Sequence, residues 1–131
     1  MIEKIVIDGN DGTGKTTRLV QLKKMFPNIK YEDRGIFSKM TLIDELFNRN
    51  KNYVTLSQKF YESIKQDSST LYIICRASSE IYQKRILERG DSIEEEFHTV
   101  DDLNKYNQRF DDLIDIVKDL PNIMVVDTSN C

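Results

Sequence analysis

The sequence predicts an α/β protein, with helices packed on both faces of a short parallel sheet, and three observations predict it. Lys4-Ile5-Val6-Ile7-Asp8 and Leu71-Tyr72-Ile73-Ile74-Cys75 are short, nearly continuous apolar runs, the pattern of strands buried on both faces, and Ile123 to Asp127 reads as a last strand. Between such runs the apolar residues recur at helical spacing, as Leu19, Leu22 and Phe26 do. A glycine-rich turn, Gly9 to Gly14, joins the first run to the first helical stretch.

Taken in order, Lys4 to Asp8 is the first strand, and the helix after the glycine turn ends where Pro27-Asn28 interrupts its pattern. Ile29 to Asp33 is a second short strand, and the helix before it is long enough for a right-handed crossover between parallel neighbours. Leu42, Ile43, Leu46 and Phe47 mark a helix beginning near Ser38, and Asn48 to Asn52 is a polar turn. The next helix is expected to begin at Thr55, since Thr55 and Gln58 have capping-box spacing ahead of Phe60 and Ile64. After the strand Leu71 to Cys75, a helix from about Ser79 runs to Gly90, a natural C-terminal cap. Asp91 to Val100 is acidic and irregular, and is expected to be mobile, as a lid over roughly Arg89 to Val100. Leu103, Tyr106, Phe110, Leu113, Ile114 and Val117 then form an apolar stripe with Asp101 or Asp102 as its cap, and Pro121 separates it from the last strand. The four parallel strands are expected in spatial order second, first, third, fourth, with a site at their carboxyl edge.

With 131 residues and no linker-like tract, the chain reads as one domain over 1–131. Its 39% hydrophobic and 31% charged residues supply a core and a well-solvated surface, which excludes a disordered chain. No apolar run reaches membrane-spanning length, and no secretory pattern opens the chain. Cys75 and Cys131 have no metal-ligand spacing, so a reducing, cytoplasmic setting is expected. No membrane partner is expected, and a net charge of −3 argues against long nucleic acid, so that any polyanion must be held by locally concentrated basic groups. A monomer and a homodimer are both compatible with it.

Gly9-Asn10-Asp11-Gly12-Thr13-Gly14-Lys15-Thr16 fits G-x-x-x-x-G-K-[ST] in full, after a strand and at the start of a helix. A triphosphate concentrates negative charge, so the loop must turn its N–H groups inward, and Gly12 and Gly14 permit that. The helix adds its partial positive end, Lys15 is expected to reach the β and γ phosphates, and the Thr16 hydroxyl to ligate Mg2+. Gly9, Asn10, Asp11, Gly12, Thr13, Gly14, Lys15, Thr16 and Thr17 are thus the expected ATP-binding set. The fold expectation sharpens to a three-layer P-loop NTPase fold, although the loop alone names no reaction, because ATPases, GTPases and kinases share it.

The stretch Ile5 to Thr17 resembles the opening of thymidylate kinases, and Asp33-Arg34-Gly35-Ile36-Phe37-Ser38 resembles their D-R-x-x-x-S motif. Leu71 to Gly90, with Arg85 and Arg89, is similar to their strand and lid-approach helix, and Asp91 through Tyr106 to their lid and following helix. The resemblance implies that Asp33 places magnesium or the attacking phosphate, and that Arg34 and Ser38 bind the acceptor. It implies that Asp11 contacts the acceptor's 3′-hydroxyl, and that Arg85 and Arg89 approach the transferring group or the donor base. Physical chemistry agrees with these roles, since phosphoryl transfer between anions needs positioning and neutralisation more than covalent help. Arg85 and Arg89 are four residues apart and share one helical face, and a guanidinium can hold two phosphate oxygens.

The chain departs from the thymidylate kinase pattern mainly on the acceptor side. The strand and helices those enzymes carry between the loop helix and the D-R strand are missing, Gly35 replaces an aromatic, Ser92 replaces a lid arginine, Leu42 replaces a base-contacting side chain, and Asp8 replaces the commoner glutamate. The leading expectation is ATP-dependent phosphoryl transfer to a deoxynucleoside monophosphate such as dTMP. A kinase acting on a nucleoside or an oligonucleotide end is the second reading, and a non-kinase ATP-binding regulatory module the third. A GTPase is disfavoured, because no N-K-x-D motif follows a later strand. His98 and Glu94-Glu95-Glu96 read as solvated surface, Tyr106 and Phe110 as core, and Thr128-Ser129-Asn130 as a segment near the adenine.

Overall fold

Four strands run in the same direction, side by side in one sheet. β1 (Lys4–Asp8) lies inside it, paired with β2 (Lys30–Asp33) on one side and β3 (Thr70–Arg76) on the other. β4 (Ile123–Asp127) pairs with β3, every pairing is parallel, and the order is β2-β1-β3-β4, as the sequence predicts. This is a computed structural model, and it describes residues 2–9, 15–33, 35–43, 47, 53–88 and 100–127; the side chains of 15–17, 53, 86 and 100 lie outside that description. No described helix is long and apolar enough to cross a membrane.

Parallel neighbours need crossovers, and helices supply them. α1 (Lys15–Met25) joins β1 to β2, α2 (Ile36–Met40) and α3 (Tyr53–Gln66) lie between β2 and β3, and α4 (Ser79–Glu88) and α5 (Val100–Val117) between β3 and β4. Because successive strand residues point to opposite faces, β1 splits its side chains between two cores. Ile5 and Ile7 join Ile73 and Cys75 against Leu19 and Leu22 of α1. Val6 joins Tyr72 and Ile74 against Phe37, Phe60, Ile64, Phe110, Leu113 and Val117, from α2, α3 and α5. The result is three layers: α1, the sheet, and the group of α2, α3 and α5. A smaller cluster, Ala77, Tyr82 and Leu103, ties α4 to α5.

Opposite the carboxyl edge, polar groups close the sheet. Asn122 donates through Nδ2 to the carbonyls of Ile64 at 2.9 Å and Asp67 at 3.1 Å, capping the end of α3 from the turn before β4. Asp67 accepts from the Tyr72 hydroxyl at 2.7 Å and from Thr70 Oγ1 at 2.9 Å.

Several boundaries differ from the sequence reading, each for a tertiary reason. α2 starts at Ile36, ahead of the expected Ser38, because its cap comes from another strand. It ends at Met40, and Thr41-Leu42 is a turn that leaves Leu42 69% exposed, so Leu42 does not join the core. α3 begins by Tyr53, which places Thr55 inside the helix instead of at its cap. Asp101 and Asp102 lie in the first turn of α5, where their charge meets the positive end of the helix, rather than before it. Phe26 follows α1 and is 45% exposed, its carbonyl taken by the Tyr31 hydroxyl at 2.7 Å. Tyr106, expected in the core, is half-buried.

Candidate functional site

All strands being parallel, their carboxyl ends meet on one edge, and the register places there Asp8, Asp33, Arg76 and Asp127. Backbone N–H groups and helix starts gather on this edge as well, as at the ligand edge of open α/β sheets.

β1 ends in Asp8, whose side chain shares a face with Val6 and is 0% exposed. A buried carboxylate has to be satisfied by donors, and this one is. Oδ1 accepts from the Gly9 N–H at 3.0 Å and from the Ser38 hydroxyl, and Oδ2 accepts from the N–H groups of Gly35 at 3.0 Å and Ser38 at 3.2 Å. Gly9, the first residue of the phosphate-binding motif, is buried with φ at 145°, a conformation that favours glycine. The chain re-enters as α1 at Lys15, the lysine of the motif. So a strand stands before the motif and a helix begins at its lysine. Asn10, Asp11, Gly12, Thr13 and Gly14 lie outside the described residues, as do the side chains of Lys15, Thr16 and Thr17.

β2 ends in Asp33, exposed and in register with Ile7 beside the motif. Arg34 lies outside the described residues, between Asp33 and the buried Gly35. A Cβ built on Gly35 would stand 2.6 Å from Val6 Cγ1, so only glycine lets α2 approach β1 this closely. Ser38 is brought to the same place, its hydroxyl donating to Asp8.

β3 ends in Arg76, whose Nε and Nη2 hold the two oxygens of Asp111 at 2.7 and 2.8 Å, a bidentate pair from sheet to α5. Its hydrogen bond to Asp111 raises the Arg76 pKa, with the charges of Asp111 and Asp127 adding in the same direction against its partial burial. Just beyond, Ser78 caps α4, its Oγ accepting from Ile81 N at 3.4 Å. Tyr82 returns its hydroxyl to the Ala77 N–H at 3.3 Å, and burial pushes its pKa up to about 12. Asn107 of α5 donates to Ser79 Oγ at 3.2 Å and to the Ala77 carbonyl at 3.4 Å, while its own buried Oδ1 has no partner among the described residues. Arg85 lies half-buried in the last turn of α4; Arg89, with 90–99, and 128–131 lie outside the described residues.

Arg109 is the residue sequence reasoning passed over. It is 5% exposed, donates from Nη1 to the Thr41 carbonyl at 2.6 Å, and lies 4.5 Å from the centre of the Phe47 ring and 5.6 Å from that of Tyr106. Three residues after Tyr106 and four before Leu113, it falls on the apolar stripe, and an arginine there was a readable signal of a buried cation. Arg76 was readable in the same way, as a charge closing an apolar strand.

No protein-family profile and no curated protein matches the chain. Solved structures do. The chain is similar to deoxyadenosine kinase from M. mycoides with bound dCTP, at 17% identity and a TM-score of 0.63, over 95% of this chain and 90% of that one. The same enzyme with bound dATP aligns at 16% identity and TM-score 0.62, covering 95% and 91%, and with the products dCMP and a flexible dCDP at 18% and 0.54. The chain therefore has the three-layer P-loop fold of these kinases, with its four-stranded parallel sheet in the order predicted.

Proposed function

We propose that the protein is a nucleotide-site kinase that moves the γ-phosphoryl group of ATP to a deoxynucleoside or its 5′-monophosphate. One observation carries this: β1 delivers Gly9, in a glycine conformation, to the start of a complete phosphate-binding motif, and Asp8 beside it holds Gly35 and Ser38, the segment that follows Asp33, at the same edge. A donor loop and an acceptor-side turn in fixed register are what transfer between two bound partners needs. The likeness in fold to deoxyadenosine kinase supports a deoxynucleoside acceptor. The sequence resemblance to thymidylate kinases favours a monophosphate such as dTMP, the second reading.

In the reaction an acceptor oxygen forms a bond to the γ-phosphorus while the bond to the β-phosphate oxygen breaks, and ADP leaves. The loop amides and Lys15 hold the triphosphate, Arg34 binds the acceptor, Asp11 meets its sugar, and Arg85 and Arg89 offset charge on the moving group, while Ser38, whose hydroxyl donates to Asp8, holds the start of α2. Magnesium keeps several waters and phosphate oxygens and takes one or two protein oxygens, so Thr16 of the motif and Asp33, exposed at the carboxyl edge, would hold it. When bound it neutralises charge on the phosphate oxygens.

The test is γ-labelled ATP with magnesium and a panel of deoxynucleosides and their 5′-monophosphates. Label is expected in a deoxynucleoside monophosphate. Label in a diphosphate would select the thymidylate-like reading, and ATP loss indifferent to every acceptor would sink the kinase.

A further inference from the structure

Asp8 is a buried ionisable group that the transfer chemistry does not use. Its position at the end of β1 invites a role as base or metal ligand, and its surroundings deny it both. An ionised carboxylate offers about four lone-pair sites. All four are met by donors from Gly9, Gly35 and Ser38, and the group is 0% exposed.

What the bonds do is cap a helix from a distance. Gly35 is the N-cap of α2 and has no side chain to offer, and α2, five residues long, cannot hold its own first turn. An ordinary cap at position 35 is barred, because any Cβ there meets Val6 Cγ1 at 2.6 Å. The Asp8 carboxylate takes over, accepting the N–H of the cap residue and that of Ser38 three positions on, while the Ser38 hydroxyl returns to it. It is a capping box shared between a strand and a helix 27 residues apart. The same carboxylate holds the Gly9 N–H, at the mouth of the phosphate loop.

We propose that Asp8 is a positioning residue that fixes Gly9, the first residue of the phosphate-binding motif, and the Gly35–Ser38 segment that follows β2 in one register. The proposal rests on the kinase reading for its effect on turnover, and on the structure alone for its effect on α2. Asn at this position keeps the volume but turns an NH2 group toward N–H donors, so α2 withdraws from β1.

The experiment uses Asp8→Asn and Ser38→Ala in the full chain, with amide hydrogen exchange and steady-state kinetics for both substrates. In Asp8→Asn, exchange at Gly35 and Ser38 should quicken about tenfold or more, while Ile7 and Ile73 keep their protection. Turnover should fall on the order of 100-fold with the KM for ATP within about threefold, the signature of misplacement rather than lost binding. Ser38→Ala, which keeps the carboxylate, should show the same split at about tenfold. Unchanged exchange at Gly35 overturns the proposal, and so does quickened exchange with unchanged turnover. If Asp8→Asn does not fold, Ser38→Ala decides: a raised acceptor KM at constant turnover makes Ser38 a substrate contact and overturns the positioning role. A wild-type chain that transfers to no acceptor fails the kinase reading instead, and exchange at Gly35 and Ser38 then judges Asp8 by itself.

Discussion

At position 35 a hydrogen in place of a methyl group decides how near α2 comes to the sheet. Adding the methyl puts it 2.6 Å from Val6 Cγ1, in a core where Val6 is 2% exposed and cannot step aside. Gly35→Ala should therefore lose about 1–3 kcal/mol of stability, the usual cost of overpacking, seen as a lower urea midpoint at unchanged slope. In the sequence this glycine stood out as a missing aromatic, a gap in acceptor recognition. The structure gives it a steric reason that no local pattern carries, since Val6 is 29 positions away in the chain and adjacent only in space. The role proposed for Lys15, by contrast, rests on a local pattern of eight consecutive residues. Lys15→Ala should lower transfer on the order of 10²–10³-fold, by removal of a preorganised donor, in the acceptor-panel assay. An unchanged rate would refute the phosphate-loop assignment.

Elements are held at their ends by polar side chains from other elements, and this is where the sequence reading of boundaries slipped. The expected start of α2 at Ser38 relied on local signals, and the true cap is Asp8. At the far end of α2, Arg109 takes the Thr41 carbonyl, linking α2 to α5. Arg109→Met should cost about 1.5–3 kcal/mol, the range for a hydrogen bond to a charged group, and Arg109→Lys should restore only part, since an ammonium does not reproduce a planar guanidinium lying on Phe47. Thermal unfolding of the three proteins measures it, and full rescue by lysine would show that charge alone matters. Asn122 does the same service for α3. Asn122→Ala leaves the buried Ile64 carbonyl without that donor and should cost about 1–3 kcal/mol, with amide exchange rising at the end of α3.

Across the whole molecule, two tyrosines link stability to alkaline pH. Burial, the largest cause for each, raises Tyr82 to about 12 and Tyr72 further, with Asp67 adding to Tyr72. A tyrosine is uncharged while protonated, so above its ordinary 10.0 the unfolded chain gives up protons that the fold retains. The stabilisation is complete below pH 10.0 and drains away as pH rises through about 12. Urea midpoints should accordingly be level on this account up to about pH 10 and fall above it, with a shallower fall in Tyr82→Phe. An identical slope in that variant would remove Tyr82 from the explanation.

The sequence by itself determined the layered α/β architecture, the strand order and the place of the glycine motif between β1 and α1. These rest on local regularities: apolar runs, helical periodicity, and a glycine motif between a strand and a helix, each readable within a few residues. Tertiary structure alone decided what caps α2, why Gly35 is glycine, where Arg109 and Arg76 spend their charges, and that Asp8 is enclosed rather than reactive. Those outcomes depend on which distant groups the sheet brings within 3 Å of one another, and hydrogen bonds and steric contacts act across space without regard to separation along the chain.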